Sequence, residues 1–283
     1  MKISGATKVY GIFGHPVSHS FSPAMHNAAF EALGLDCVYV AFDVQPKDLE
    51  ASAGALRTMS VAGINVTVPH KESVIPFLDT VSQEAELVGA VNTVKNDGGV
   101  LKGYNTDVGG FLRALKEDIG CEPGGMRVAL LGAGGAARAV LTALCMNGAR
   151  EINVINRTVA KAQGLADEFQ NSFEQIVINA HGLANADSVE SCLAGADLLV
   201  NCTSAGMKGV ESLALPLEAL GSETLVYDLV YNPLETELVA AARRRGNLAE
   251  TGLSMLLYQG AESFEIWTGA RAPVEVMKQA LSF

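Results

Sequence analysis

The segment RVALLGAGGAARAVLTAL, residues 127–144, constrains the fold more than any other part of the 283-residue chain. A short apolar run breaks at clustered glycines and resumes with helical spacing. A strand buried on both faces reads as such a run, and strand–turn–helix is the arrangement that satisfies the whole segment. Gly132, Gly134 and Gly135 permit the tight turn and let a pyrophosphate approach the amides that open the helix. Ala137 stands where a third glycine is common, a replacement the pattern allows. A glycine-rich turn that binds nothing is the plainer alternative, but flanking strand and helix favour a dinucleotide.

The next strand, EINVIN, ends at Asn156-Arg157-Thr158, about 20 residues past the first glycine, where NAD-binding chains usually carry Asp or Glu for the ribose 2′-hydroxyl. Here a neutral Asn156 precedes Arg157, with Lys161 one turn later. A carboxylate would repel a 2′-phosphate, whereas a guanidinium binds it bidentately. The expected cofactor is therefore NADP. NCTSAGM (201–207) follows another apolar run and places Thr203, Ser204 and Gly206 at a strand end facing the ligand crevice of a doubly wound sheet.

Strand-like and helix-like segments alternate on both sides of this motif. KVYGIFG, CVYVAFDV and GINVTVP read as strands before it, with helices at SPAMHNAAFEALG, at PKDLEASAGALRTM and from Lys71 to Leu78. VNTVKNDGGVLKGYN reads as a hairpin turning at Asn96–Gly99. A helix from Asp107 to about Ile119 and the linker CEPGGM lead into MRVALLG, EINVIN, QIVINA, LLVNCTS and LVYDLVY. ETELVAAARRRG and two tail helices finish the chain. The expected fold is α/β with two α/β domains. Residues 1–106 and 253–283 form a substrate-binding catalytic domain with a mostly parallel sheet, and residues 107–252 a Rossmann-type NADP domain.

Polar clusters at strand ends of the first domain carry the chemistry. SHSFSP offers Ser18, Ser20 and Ser22 before a Pro-started helix, a place where hydroxyls and free amides bind carboxylate; an ordinary helix cap is the alternative. GINVTVPHK sets Asn65 and Thr67 on one strand face, both able to bind ring hydroxyls. Lys71 follows at a helix start, where the dipole would depress its pKa toward the range useful for proton transfer. GAVNT and GYNTD add two Asn-Thr pairs, and Asp107 opens the following helix. Beside Lys71 it would orient the amine; alone it is an ordinary first-turn acid.

Other classes fit poorly. A net charge of −11 argues against a nucleic-acid binder. Five cysteines without a C-x-x-C pair read as buried free thiols, and the histidines lack the spacing and acidic neighbours of a metal site, so no metal is expected. No run of about 18 apolar residues and no signal-peptide core occurs, so the cytoplasm is the expected compartment and no membrane partner is expected. The expected partner is a small-molecule substrate, and the chain is expected to be a monomer or a homodimer.

Taken together, GHPVSHSFSPAMHN, INVTVPHK, GAVNT, GYNTD, LGAGGAAR, NRTVAKA, DLVYNP and TGLSMLLYQG, in this order, resemble the shikimate dehydrogenase family along nearly the whole chain. The resemblance implies two α/β domains with the active site in the cleft between them, and reversible NADPH-dependent reduction of 3-dehydroshikimate to shikimate in aromatic amino acid biosynthesis. It implies that Ser20 and Ser22, without Ser18, hold the substrate carboxylate. Asn65, Thr67, Asn92, Asp107 and Gln259 would surround the ring hydroxyls, with Tyr231 also touching substrate. Lys71 would be the catalytic acid–base residue and Asp107 its partner. Gly132, Ala133, Gly134, Gly135, Ala136 and residues 156–161 would bind NADP, with Leu229, Gly252 and Met255 near the nicotinamide. Two positions depart from the family pattern. Gln83 stands where an acid is frequent, and Lys161 replaces a frequent Arg with a point charge. Relatives that also oxidise quinate share most motifs; the paired serines and NRT-x-x-K favour the shikimate-specific branch. A non-catalytic NADP-binding regulatory module would be expected to lack Lys71 or Asp107, and both are present.

Overall fold

Alternating apolar runs and helical stretches resolve, in a computed structural model that describes residues 3–281, into twelve strands and ten α-helices. The first series is β1 (Lys8–Gly14), α1 (Ser22–Ala32), β2 (Cys37–Asp43), α2 (Leu49–Thr58), β3 (Gly63–Val66), β4 (Thr80–Val81), α3 (Gln83–Val88), β5 (Thr93–Asp97), β6 (Val100–Tyr104) and α4 (Asp107–Ala114). The second is β7 (Arg127–Leu131), α5 (Gly135–Met146), β8 (Glu151–Asn156), α6 (Val159–Ser172), β9 (Val177–Gly182), α7 (Ala186–Ala194), β10 (Leu198–Asn201), β11 (Leu225–Asp228), α8 (Glu237–Arg244) and β12 (Ala249–Thr251). Helices α9 (Leu253–Thr268) and α10 (Val274–Ala280) close the chain. It divides into two units: residues up to Gly110 with those from Leu257 onward, and Phe111–Leu256. Both divisions fall inside helices, α4 and α9, a few residues beyond the expected positions.

The first unit holds a six-stranded sheet in the order β2-β1-β3-β5-β6-β4. β1 pairs in parallel with β2 and β3, and β4 with β6, while β5 runs antiparallel to β3 and β6. The antiparallel β5–β6 hairpin has a tight connection that leaves no room for a crossover helix. Register matters for the site, because it sets Asn65 of β3 beside Ile12 on one side and Thr93 of β5 on the other. On one flank Tyr10, Phe30, Tyr39, Phe264 and Trp267 pack as an aromatic cluster. Phe13, Leu56, Ile64, Val66, Val94 and Leu101 belong to a second apolar cluster. Full burial of a large apolar side chain contributes about 1.5–3 kcal/mol.

The sequence leads one to expect a helix from Lys71 to Leu78, and the structure corrects this. The stretch is turns with one short 3₁₀ segment, Ile75–Phe77. Pro76 inside it denies an α-helix its backbone donor. Three short elements lack a clear sequence signal: β4, β12 and the six-residue α3, whose Ser82 side chain accepts from the Ala85 amide. Helix α4 widens into a π-helical turn at Leu115–Ile119.

The second unit is an all-parallel sheet ordered β12-β11-β10-β7-β8-β9. Numbered within the unit this is 6-5-4-1-2-3, the doubly wound order whose direction reverses beside its first strand. Central strands read as continuous apolar runs because both faces are covered: Val128, Ala129, Leu130, Leu198, Leu199 and Val200 are wholly buried.

Candidate active site

In the first unit, strand ends bring the polar motifs together. Lys71 lies beyond β3, its carbonyl accepting from the Val91 amide at 2.8 Å. Its Nζ donates to Asp107 Oδ2 at 2.7 Å, and the two side chains are 27% and 12% exposed. Asp107 is the first residue of α4, and its backbone amide donates to Asn105 Oδ1. Its other oxygen, Oδ1, accepts from Asn92 Nδ2 at 2.9 Å. Asn92 is itself fixed: Nδ2 also donates to Thr106 Oγ1 and, at 3.4 Å, to Gln259 Oε1, while Oδ1 accepts from the Thr106 amide. The carboxylate is thus held at both oxygens, one by an ammonium and one by an amide. No α-helix starts at Lys71, so the dipole argument for that lysine has no basis here. What organises the amine is the ion pair.

Asn65 is buried, and both ends of its carboxamide are engaged. Oδ1 accepts from the Tyr39 hydroxyl at 2.7 Å, and Nδ2 donates to the Asn92 carbonyl, Thr93 Oγ1 and Ser263 Oγ, each at 3.1 Å. Thr67 lies just past the end of β3, half-buried, its hydroxyl without a partner among the described residues. Ser20 Oγ accepts from the Ser22 amide, and Ser22 begins α1 and is buried. Gln83 is exposed at the start of α3. Helix α4 can carry Asp107 this close to α9 because Gly110 has no side chain: a Cβ there would stand 2.8 Å from both Gln259 Cβ and the Gln259 amide nitrogen.

In the second unit the glycine turn leaves β7 with Gly132 at φ +108°, where a Cβ would also press Thr203 Cγ2 at 3.2 Å. Above Gly134 and Gly135 a Cβ would meet nothing within 4 Å, and no side chain caps the start of α5. Ala133 is half-buried and Ala136 exposed in the same turn. The first amides of α5 therefore face open space, the arrangement that accepts a pyrophosphate. At the end of β8, Asn156 Nδ2 donates to the Thr158 carbonyl, and Arg157, Thr158 and Lys161 are exposed. Neither cation makes an ion pair among the described residues, so both charges are available to a phosphate. These features fit NADP. Thr203 accepts from the Ala205 amide and donates to Asn201 Oδ1 at 2.7 Å, and Ser204 is exposed beside it. Leu229 backs directly onto Gly252, Met255 is 8% exposed, and Tyr231 is half-buried, burial raising its phenol pKa.

Sequence reasoning missed Asp228, which is fully buried at the end of β11. Oδ1 accepts from Asn201 Nδ2 and the Val230 amide, and Oδ2 from Thr236 Oγ1. The carboxylate ties the strand-end turns of β10 and β11 to the start of α8. Burial raises its pKa despite these donors. A signal existed, a lone acid inside the apolar run LVYDLVY. Ser263 and Tyr39 gave none, since each lies in an apolar element whose buried face is indistinguishable from core.

A parallel sheet in this order, with a glycine turn leaving its central strand, joined to a unit carrying a lysine–carboxylate pair, defines an α/β dinucleotide-dependent oxidoreductase. Three family models match: "Shikimate dehydrogenase substrate binding domain" over residues 12–94, "Shikimate / quinate 5-dehydrogenase" over 115–216 and "Shikimate 5'-dehydrogenase C-terminal domain" over 252–281. Shikimate dehydrogenase (NADP(+)) of Methanopyrus kandleri is 46% identical over 99% of this chain and 97% of its own length. The Moorella thermoacetica protein of the same name is 48% identical over 99% and 95%. The crystal structure of shikimate 5-dehydrogenase from Listeria monocytogenes, in complex with shikimate and NAD, superposes with a TM-score of 0.94 at 38% identity, covering 100% of this chain and 99% of that one. The chain belongs to the shikimate dehydrogenase family.

Proposed function

We propose that this chain catalyses the reversible reduction of 3-dehydroshikimate to shikimate with NADPH. The observation that carries the reading is the Lys71–Asp107 pair, 2.7 Å apart and braced by Asn92, within a unit that matches the family's substrate-binding domain. NADP(H) bound at the Gly132–Ala136 turn, with Arg157 and Lys161 on its 2′-phosphate, would supply or take up the hydride at the ring carbonyl carbon. Lys71 donates a proton from Nζ to the oxygen that becomes the hydroxyl, and in reverse accepts it. Asp107 keeps the amine aimed at that oxygen, and Asn92 prevents the carboxylate from turning away. Ser20 and Ser22 hold the substrate carboxylate. Thr67 offers a free hydroxyl to the ring, and Asn65, Asn92 and Gln259 complete the polar surround. A fixed donor geometry of this kind lowers the barrier because the groups need not reorganise during the reaction.

The test is direct. Purified protein mixed with shikimate and NADP+ should produce the near-ultraviolet absorbance of reduced nicotinamide; no rise from folded protein would refute the proposal. Repeating the assay with quinate and with NAD+ measures how far Lys161, a point charge in place of a guanidinium, relaxes cofactor choice.

A further inference from the structure

Tyr39 lies in β2, 1% exposed, with its hydroxyl 2.7 Å from Asn65 Oδ1. Chemistry alone fixes the direction of this bond. The other terminal atom of the Asn65 carboxamide is 3.1 Å from the Asn92 backbone carbonyl, which can only accept. That atom is therefore the nitrogen, the one facing Tyr39 is the oxygen, and the phenol must donate its single proton to it. The ring is held by a stack on His26, with centroids 4.5 Å apart and planes within 11°. His26 is wholly buried, and neither ring nitrogen has a hydrogen-bond partner among the described residues. Burial lowers its pKa to about 3, and raises that of Tyr39 well above the ordinary phenol value. A neutral imidazole thus backs a phenol that stays protonated.

We propose that Tyr39 is a positioning residue for substrate, orienting the Asn65 carboxamide while touching no ligand itself. This rests on the reading that Asn65 binds shikimate. With its nitrogen held by three acceptors, Asn65 can offer a ligand only an oxygen lone pair, so it would accept from a ring hydroxyl. Loss of the phenol oxygen leaves Asn65 Oδ1 without that donor.

The experiment is steady-state kinetics of Tyr39→Phe, which keeps the ring and its stack, alongside Asn65→Ala and the double variant. Removing one hydrogen bond of this kind should raise the KM for shikimate about tenfold. The KM for NADP+ should change by less than about twofold, and kcat less than the shikimate KM. The double variant should fall short of additivity, because both changes act at one contact. An unchanged shikimate KM in folded Tyr39→Phe, an equal rise in both KM values, or strict additivity would overturn the proposal. If Asn65→Ala itself leaves the shikimate KM unchanged, the reading of Asn65 as a ligand is what fails. Should Tyr39→Phe not fold, His26→Leu, which loosens the stack and keeps the phenol, is measured instead. A rise confined to the shikimate KM supports the proposal, and no rise overturns it.

Discussion

Lys71 faces a carboxylate whose second oxygen is already taken by Asn92, so the ammonium is held in one orientation. Replacing Lys71 with Ala should lower kcat about 10²–10⁴-fold, the usual contribution of a general acid–base group. The KM for NADP+ should hardly move, and circular dichroism should show an unchanged fold; near-normal turnover would exclude Lys71 as the proton donor. At the other ligand, Arg157 is exposed and unpaired beside a neutral Asn156. Arg157→Ala should raise the KM for NADP+ about tenfold or more, given roughly 1.5–3 kcal/mol for a charge-assisted hydrogen bond. The KM for NAD+, which lacks the 2′-phosphate, should stay level, and the two titrations side by side decide it. The residue types at both places were legible in the sequence. The partners of Asn65 were not, since its side-chain bonds reach residues 26, 27, 28 and 198 positions away.

Among the elements, the packing of α4 on α9 leaves no room for a side chain at Gly110. A methyl group on Gly110 would push against Gln259 backbone and Cβ, and α4 would have to move off, carrying Asp107 away from Lys71. Gly110→Ala should therefore lower stability by about 1–3 kcal/mol, the usual cost of overpacking, and reduce kcat/KM for shikimate. NADP+ affinity, measured by fluorescence titration, should be retained. The complementary change is Gly132→Ala. There φ +108° strains any L-residue and the added methyl crowds Thr203. Its effect should fall on NADP+ binding and leave the Lys71–Asp107 pair intact. Element types were readable where periodicity was strong, as in β7–α5. They failed at residues 71–78, where polar and apolar residues alternate with helical spacing but Pro76 breaks the hydrogen-bond ladder.

Across the whole molecule, pH acts on stability through His26, which is wholly buried, and His181, which is half-buried. Burial lowers His26 from 6.5 to about 3 and lowers His181 as well. A base with a depressed folded pKa binds its proton more tightly when unfolded. Its stabilising contribution is therefore present above about 6.5 and is lost as pH falls toward the folded value. Each such group adds a slope of at most about 1.4 kcal/mol per pH unit. Asp228, raised by burial, has the opposite sign: its contribution is present below the unfolded carboxylate value and lost as pH rises through its folded pKa. Urea unfolding between about pH 5 and pH 7, above the range of the paired surface acids, should show stability falling with acid. The slope should flatten in His26→Leu, and an unchanged slope would show that His26 is not the group responsible.

The sequence alone determined the two α/β series, the glycine turn, the cofactor preference and the polar strand ends, because each is written in residues close together along the chain. Period and turn chemistry are local properties. The family followed from the order of those motifs. Tertiary structure alone decided how the clusters meet: the antiparallel β5 that sets Thr93 beside Asn65, the glycine contact that brings α4 against α9, and the buried hubs at Tyr39 and Asp228. A buried tyrosine or aspartate gains its role from the atoms it faces. Those atoms come from distant segments brought together only when the sheets and helices pack.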